Sequence, residues 1–225
     1  MLPSTRYEIK MVTDEVNLPQ VRSWLRLHPQ CFVRPYPNRD INNTYFDTPH
    51  LDSYSENLAG TSRRRKLRLR WYGSRHNNIK SVLELKCKRS LQGWKQSCAV
   101  QQCLDLSQMS WQEVRSALQL KLSQPFEDYL NHFSYPVLIN QYHREYYVSF
   151  DRRVRITLDY KQRAYDQRFE HAPNLSRAIL PSDKMVVEVK ADRDNQHFLS
   201  DAIACLPLRV GKHSKYALSM EAILG

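Results

Sequence analysis

The segment from residue 63 to residue 70, Arg-Arg-Arg-Lys-Leu-Arg-Leu-Arg, constrains the fold more than any other part of the chain. Its last five residues alternate between cations and leucines. Successive side chains of a β-strand point to opposite faces, so Lys66, Arg68 and Arg70 share one face, with the leucines behind them. Three cations along one face repel each other unless an anion lies among them. The pattern therefore predicts a strand whose polar face binds a strongly negative partner.

Four further segments repeat this alternation between an apolar and a charged face: residues 6–12, 79–88, 154–159 and 185–190. Each of these four has a carboxylate among its cations. An ordinary sheet with one salt-bridged face in solvent explains any single segment. Across five segments that explanation weakens, because Thr, Ser and Gln are scarce on the polar faces. If the sheet closes with its charged face inward, it forms a tunnel in which clustered Arg and Lys hold an anion strongly.

The rest of the chain alternates between helical and extended patterns. Apolar spacing predicts helices over 18–27, over 110–122, after Pro125, over 194–205 and over 215–224, the first with Asn17 as its N-cap. Further strands are predicted over 41–46, 92–103, 137–144 and 145–151. We find no internal repeat and no linker. We therefore expect one α+β domain over residues 1–225, whose eight or more mostly antiparallel strands permit a closed barrel.

The composition favours a polyanionic partner. Lys and Arg number 34 against 23 Asp and Glu, so the formal net charge is +11. The five cysteines form no CxxC motif, which favours free thiols, most simply buried ones, in a reducing compartment. The sequence shows neither a signal peptide nor a membrane span, so we expect a soluble cytoplasmic protein and leave a membrane partner open. Motifs for P-loop, dinucleotide, zinc-protease and serine-hydrolase chemistry are missing.

Two features of the charged segments leave alternatives. Arg63 to Lys66 alone could bind nucleic acid, but the strict alternation that follows favours a strand face, so we expect no nucleic-acid partner. Glu8, Glu84 and Glu188 could hold a divalent cation that bridges phosphate oxygens. The same carboxylates could instead balance the neighbouring Arg and Lys, and this second role is least favoured for Glu188.

Eight segments, in order along nearly the whole chain, resemble the polyphosphate-polymerase (VTC) domain of the CYTH-like triphosphate tunnel metalloenzyme superfamily. They are residues 6–10, 45–49, 64–73, 83–86, 142–144, 154–159, 187–190 and 214–216. The sister branch of CYTH triphosphatases and class IV adenylyl cyclases opens with ExExK. The same place here reads Arg6, Glu8 and Lys10. This departure favours the polymerase branch.

The resemblance implies an eight-stranded antiparallel β-barrel, the triphosphate tunnel, with helices packed on the outside. It implies an enzyme that moves the γ-phosphate of ATP onto a growing polyphosphate chain, assisted by Mn²⁺ or Mg²⁺. A tripolyphosphate or nucleoside triphosphate hydrolase and a non-catalytic polyphosphate-binding module are the alternatives. The implied catalytic residues are Lys215, Arg68 and Arg70, and the implied phosphate-binding residues are Lys10, Lys66, Lys86, Lys88, Arg144, Arg155, Lys190 and Ser214. The resemblance makes Glu188 the principal metal ligand, and the strand faces add Glu8 and Glu84 as further candidate ligands.

Overall fold

The computed structural model describes residues 6–90, 92–120, 122, 124–192, 195–204, 206, 208–211 and 213–225. Within these residues there are eight strands and six α-helices, and a short 3-10 turn, Glu15–Asn17, precedes the first helix. The strands are β1 Arg6–Asp14, β2 Arg39–Asp47, β3 Arg63–Tyr72, β4 Ser81–Arg89, β5 Gln92–Ala99, β6 Tyr135–Val148, β7 Val154–Asp166 and β8 Lys184–Asp192. The helices are α1 Leu18–Leu27, α2 Asp52–Leu58, α3 Trp111–Gln119, α4 Phe126–His132, α5 Gln196–Ala204 and α6 Lys215–Leu224.

Most predicted elements are present, and the differences have local causes. Two strands were predicted over 137–151, but residues 137–148 lie in the single strand β6, because no glycine or proline interrupts them, and residues 149–151 lie beyond its end. Helix α2 was not predicted, since its seven residues carry too few apolar side chains to show a helical period. Asn17 precedes α1, but its side chain does not cap the helix; its Nδ2 donates to Thr13 Oγ1 at 2.8 Å.

The strands are ordered β1-β8-β7-β6-β2-β3-β4-β5 in one sheet. The pairs β1–β8, β7–β8, β2–β3, β3–β4 and β4–β5 are antiparallel. The predicted α+β class with eight antiparallel strands is therefore confirmed. The closed barrel is wrong: in the described part of the chain, β1 and β5 end the strand order without pairing to each other, so the sheet is open.

The chain divides into two compact units by its internal contacts. The first unit contains residues 1–39, 142–162 and 182–214, and the second contains residues 40–141, 163–181 and 215–225. The sequence-based expectation of one domain over residues 1–225 stays a prediction. Each unit has its own hydrophobic core and is described separately below.

In the first unit, helices α1 and α5 pack on the apolar face of β7 and β8. The core includes Val21, Leu25, Ile156, Leu158, Val187, Val189, Leu199 and Ala202, all buried. A fully buried aliphatic side chain contributes roughly 1.5–3 kcal/mol. Because side chains alternate along a strand, this packing leaves the charged residues of β7 and β8 on the opposite face.

In the second unit, helices α3 and α4 pack on the apolar face of β3 and β4. Their core includes Leu67, Leu69, Leu83, Leu85, Val114, Leu118, Phe126 and Leu130. Helix α3 begins with a capping box: Glu113 N donates to Ser110 Oγ, and Ser110 N donates to the Glu113 carboxylate. This local signal fixes the start of the helix that buries the leucine face of β3.

Helix α6 packs on the other, charged face of the second unit. The Tyr216 ring of α6 lies 4.7 Å, centroid to centroid, from the ring of Tyr45. Tyr45 shares its face with Arg68, whose Nη1 donates to the Tyr45 hydroxyl at 3.4 Å. The expectation that helices pack only on the aliphatic outside is therefore wrong for α6. Tyr45 and Tyr216 each supply an aromatic ring, and the contact between these rings packs α6 on a strand face that is otherwise charged.

Two sequence-based expectations concern membrane-spanning helices and thiols. In the described residues, no helix has the length and apolar character needed to cross a bilayer. Cys87 and Cys98 are half-buried free thiols, whereas Cys31 and Cys103 are exposed, so the expectation of buried cysteines is wrong for the latter two. Cys205 lies outside the described residues.

Candidate functional site

On the charged face of the second unit, Arg68, Arg70 and Lys95 surround the carboxylate of Glu84. Arg68 lies opposite Glu84 in the β3–β4 register, and its Nε and Nη2 donate to Oε2 at 2.8 and 2.6 Å. Lys95 Nζ donates to Oε1 at 2.6 Å, and Arg70 Nη1 lies 3.7 Å from Oε2. Burial alone would raise the pKa of Glu84, but Arg68, Arg70 and Lys95 lower it to about 2. These four residues are called the arginine cluster below.

Polar groups of β2 extend the arginine cluster. Asn43 lies opposite Arg70, and its Oδ1 accepts a hydrogen bond from Arg70 Nε at 2.9 Å. The Asn43 side chain is fully buried, yet its Nδ2 has no hydrogen-bond partner among the described residues. An unpartnered buried donor beside Arg70 is the kind of group that a bound oxygen atom satisfies.

The end of β3 near Lys66 is strongly cationic. Lys66 Nζ donates to Asn57 Oδ1 at 2.5 Å and lies 5.2 Å from the centre of the Tyr216 ring. In the β3–β4 register Lys66 lies opposite Lys86, and Lys88 lies opposite Arg64. Lys86 and Lys88 are exposed. Like charges directly opposite each other in a sheet are unfavourable, so this part of the second unit favours an anion.

Helix α6 begins at Lys215, which is half-buried and directly follows half-buried Ser214. The next residue, Tyr216, fixes this helix end: its hydroxyl donates to Asp47 Oδ2 at 2.5 Å. Because Tyr216 also contacts Lys66, the N-terminus of α6 lies at the cationic end of β3. A helix N-terminus favours negative charge, so a lysine at this position adds to an anion-binding end.

In the first unit, two lysines and two glutamates alternate across the β1–β8 pair. Glu8 lies opposite Lys190, and Lys10 lies opposite Glu188. Lys190 Nζ lies 2.7 Å from the Glu188 carboxylate and 3.6 Å from that of Glu8. Lys10 Nζ lies 3.2 Å from Glu8 and 3.8 Å from Glu188. Burial disfavours the charge of Lys190, but Glu188 and Glu8 raise its pKa above the ordinary value.

Arg144 of β6 adds a third cation to this group. Its Nε and Nη2 donate to the two oxygens of Asp159 at 2.5 and 2.6 Å, and Nη2 lies 3.6 Å from Glu188. Although burial opposes its charge, Asp159 holds the pKa of Arg144 well above the ordinary value. We call the six side chains the lysine–glutamate cluster: Glu8, Lys10, Arg144, Asp159, Glu188 and Lys190.

Two residues of β7 border the lysine–glutamate cluster. Thr157 lies opposite Glu188, and its Oγ1 is buried without a hydrogen-bond partner among the described residues. Arg155 lies opposite Lys190, but its side chain is 46% exposed and its nearest carboxylate oxygen, in Asp192, is 3.7 Å away. Arg155 is thus exposed, as Lys86 and Lys88 are, although all three were expected to face an enclosed site.

These features accompany a clear family assignment. The family model for the VTC domain matches residues 5–224. The chain belongs to the VTC domain family. This VTC domain has the same fold as an X-ray structure of a candidate adenylate cyclase from Vibrio parahaemolyticus, with a TM-score of 0.51 at 11% identity, over 96% of this chain and 98% of that chain.

Two other comparisons add no argument. The Mediator head module of Schizosaccharomyces pombe gives a TM-score of 0.49 at 7% identity, over 92% of this chain and 97% of that chain, which is too low to support a conclusion. No curated protein matches the sequence of this VTC domain. The family expected from the sequence is confirmed by the match of the family model.

The lysine–glutamate cluster of the VTC domain fits a divalent cation only together with a ligand. The described residues contain no group of three or more Asp, Glu, His or Cys side chains arranged to hold a metal ion. Glu8 and Glu188 nevertheless share the same two lysine partners, so their carboxylates lie close to a common region. Mg²⁺ and Mn²⁺ in phosphoryl-transfer sites are often held by one or two carboxylates plus substrate phosphates. These two residues fit that arrangement.

Glu84 differs from the other two predicted metal ligands. It belongs to the second unit, and its two oxygens already contact Arg68, Arg70 and Lys95. This favours the charge-balancing role that the sequence left open, because a cation would have to compete with three charged donors.

The structure thus distributes the predicted residues over two clusters. Lys10, Arg144, Glu8, Glu188 and Lys190 meet in the first unit, whereas Arg68, Arg70 and Glu84 meet in the second. The sequence placed Thr157 and Asp159 on the charged face of their strand, and Asp47 and Tyr216 within segments that resemble the family, but it gave none of them, nor Asn43, a role in the site. Asp159 and Thr157 share the strand parity of Arg155, which was a usable signal. Asn43 gave none, because neutral residues on β2 do not show an alternating charge.

Proposed function

We propose that this VTC domain is a polyphosphate polymerase-like phosphotransferase that moves the γ-phosphate of ATP onto a growing inorganic polyphosphate chain, with Mn²⁺ or Mg²⁺. The observation that carries the proposal is a surplus of positive charge on one strand face of the second unit. Lys66, Arg68, Arg70 and Lys95 lie there, and the last three of these cations surround the carboxylate of Glu84. Such a surplus within a VTC domain suits a chain of phosphates.

The roles of the second unit follow from this surplus. Arg68 and Arg70 offer planar guanidinium groups that can hold two phosphate oxygens at once, and Asn43 Nδ2 offers a further buried donor. Lys215, supported by Ser214, would contact the phosphates near the reacting end, where the N-terminus of α6 adds partial positive charge. Lys66, Lys86 and Lys88 would bind the more distant phosphates as point charges.

The first unit would serve a different purpose, because its cluster is balanced. Lys10, Arg144 and Lys190 are matched by Glu8, Asp159 and Glu188. Glu188, with Glu8, would hold a divalent cation, which would neutralise part of the negative charge of the phosphates. Lys10, Arg144, Arg155 and Lys190 would contact phosphate, and the Thr157 hydroxyl could donate to it.

The chemistry needs little from the protein beyond position and charge. A terminal oxygen of the polyphosphate chain would form a bond to the γ-phosphorus, while the bond between that phosphorus and the β–γ bridging oxygen breaks and ADP leaves. The attacking oxygen is already anionic, so no general base is required. The cations would bring two mutually repelling anions into line and stabilise the charge of the transition state.

One assay on the purified full chain tests the proposal. ATP and Mn²⁺ are supplied, long polyphosphate is stained on gels, and free phosphate is measured in the same samples. Polyphosphate that accumulates with equimolar ADP supports a polymerase. Lys215→Gln should lower the rate by about a hundredfold, because it removes charge at the reacting end. Lys80→Gln, an exposed lysine on the same unit, is the matched control.

The other outcomes separate the alternatives. Free phosphate without chain product would identify a triphosphate hydrolase and refute the polymerase. Tight binding of tripolyphosphate without turnover in any metal would identify a binding module. The free thiols suit a reducing compartment, so we place the activity in the cytoplasm. We expect no nucleic-acid partner, because the alternation after Arg63 to Lys66 favours a strand face.

A further inference from the structure

The start of β3 and the end of β4 lie side by side and carry positive charge without a matching carboxylate. Residues 61–66 and 86–95 contain eight Lys and Arg and no Asp or Glu. In the β3–β4 register, Arg63 lies directly opposite Arg89, and Arg64 lies opposite Lys88. Like charges directly opposite each other in a sheet are unfavourable unless an anion lies among them. We call four arginines of this end the outer arginines: Arg63, Arg64, Arg65 and Arg89.

The charge of the outer arginines is accessible and is not balanced locally. Arg63, Arg65 and Arg89 are exposed, and Arg64 is half-buried. In the part of the chain that the structure describes, no carboxylate forms an ion pair with any of the four. By contrast, the exposed Arg177 of the same unit pairs with Glu170. The outer arginines therefore form a surface that attracts an anion from solution.

This surface extends over both faces of the sheet. Arg64 lies on the charged face of β3, because side chains alternate along a strand. Arg65 lies on the opposite face, where its guanidinium carbon is 5.7 Å from the centre of the ring of Phe133, a residue of the core. Arg63 has the strand parity of Arg65, and Arg89 lies opposite Arg63. The positive surface thus begins on the charged face and continues around the strand ends.

The outer arginines lie farther from the arginine cluster than a triphosphate can reach. Arg70 and Arg64 are six residues apart on β3, which corresponds to roughly 20 Å at the rise of a strand. Three linked phosphates are much shorter than this, whereas a chain of many phosphates spans the distance and continues beyond it. A polyphosphate with one end in the arginine cluster would therefore reach the outer arginines with its distal part.

We propose that the outer arginines bind the distal part of a polyphosphate chain and so retain the product while its reacting end lies in the arginine cluster. This rests on the proposed function, which supplies polyphosphate as the polyanion. Each guanidinium can hold two phosphate oxygens at once. Single-stranded nucleic acid fits less well, because its bases stack on aromatic side chains and residues 61–66 and 86–95 contain one aromatic residue, the half-buried Trp94.

The test measures the binding of long-chain polyphosphate and of tripolyphosphate to the full chain by calorimetry, without ATP or divalent metal. Arg63→Gln/Arg89→Gln should bind the long chain about tenfold more weakly, because two charge-assisted contacts are lost. It should bind tripolyphosphate like the native chain. Arg75→Gln/Lys80→Gln removes the same charge from exposed residues in the connection between β3 and β4, and it should bind both ligands like the native chain.

Arg63→Glu separates binding from folding. It places a carboxylate opposite Arg89, so urea should unfold this variant at the native concentration or at a higher one. The same variant should bind the long chain at least about tenfold more weakly than the native chain does, because it replaces an attractive charge by a repulsive one. A purely structural role for Arg63 would instead lower both stability and binding.

Four results would overturn the proposal. They are native binding of the long chain by Arg63→Gln/Arg89→Gln or by Arg63→Glu, an equal loss in Arg75→Gln/Lys80→Gln, an equal loss for tripolyphosphate, and displacement of polyphosphate by oligothymidylate at equal phosphate concentration. The last result would identify a nucleic-acid surface. Because binding is measured without turnover, a chain that makes no polyphosphate can still pass this test, and an active polymerase can still fail it.

Discussion

Arg68 and Glu84 lie directly opposite each other on β3 and β4, and one guanidinium edge holds a single carboxylate oxygen at 2.8 and 2.6 Å. Both side chains are only 5% exposed. A residue that the sequence suggested as a phosphate ligand is thus also half of a buried ion pair. Substitutions there must be tested for stability before activity is interpreted.

Arg68→Met should lower the free energy of unfolding by about 3 kcal/mol, because it leaves Glu84 buried with weaker partners. Urea unfolding measures the change. Lys80→Met, on an exposed side chain of the same unit, should stay within about 0.5 kcal/mol of the native chain. A loss of under about 1 kcal/mol in Arg68→Met would show that Arg70 and Lys95 alone satisfy the carboxylate.

Stability should also fall in acid through Glu84. Burial raises its pKa, but Arg68, Arg70 and Lys95 lower it from 4.5 to about 2. A carboxylate with a lowered pKa stabilises the fold above the unfolded value of 4.5, and this contribution, roughly 3 kcal/mol, is lost as the pH falls toward 2. Glu84→Gln should therefore flatten the pH dependence of urea unfolding in this window. An unchanged slope would contradict the assignment.

A second buried carboxylate, Glu145, anchors helix α1 in the first unit. It is fully buried and accepts from Arg22 Nε at 3.1 Å and from the Tyr147 and Tyr160 hydroxyls, each at 2.8 Å. Arg22→Met should cost about 2 kcal/mol of unfolding free energy, since a charged partner is lost. Arg26→Met, exposed on the same helix, is the control. Equal stability of the two variants would refute the anchoring role.

The Tyr216–Asp47 hydrogen bond should contribute to the position of α6. Asp47 is fully buried, and its carboxylate also accepts backbone N–H groups of Ser53, at 2.9 Å, and Tyr54, at 3.1 Å. Tyr216→Phe removes only the hydroxyl and should cost about 1.5 kcal/mol in thermal or urea unfolding. Tyr36→Phe, an exposed tyrosine, should have little effect. If the chain makes polyphosphate, Tyr216→Phe should also slow the synthesis, because Tyr216 helps to position the neighbouring Lys215 at the start of α6.

Metal dependence gives a separate test of the lysine–glutamate cluster. Glu188→Gln should raise the Mn²⁺ concentration for half-maximal turnover by about tenfold or more, because it removes a charged oxygen ligand. Glu127→Gln is the matched control, because it removes a carboxylate of α4 to which we assign no role in metal or phosphate binding. The same titration with Glu84→Gln should show no such shift if Glu84 only balances cations. A native Mn²⁺ requirement in Glu188→Gln would refute the metal role.

Several features followed from local sequence alone. The faces of β3, β4 and β8 were predictable, because alternation along a strand depends on neighbouring residues only. The bounds of α1 and α6 and the family were predictable for the same reason: periodicity and short motifs are local. The side of the sheet on which α6 packs was not, because its apolar residues and Tyr216 suit either an aliphatic or an aromatic partner.

By itself, the sequence determined which side chains share a strand face, the excess of positive charge and the membership of the VTC domain family. Only the tertiary structure decided that the Glu84 carboxylate contacts Arg68, Arg70 and Lys95. It also decided that Glu8 and Glu188 contact the same two lysines and that the sheet is open. The reason is that register and strand order join segments far apart in the chain, and a shift of one residue would exchange every partner.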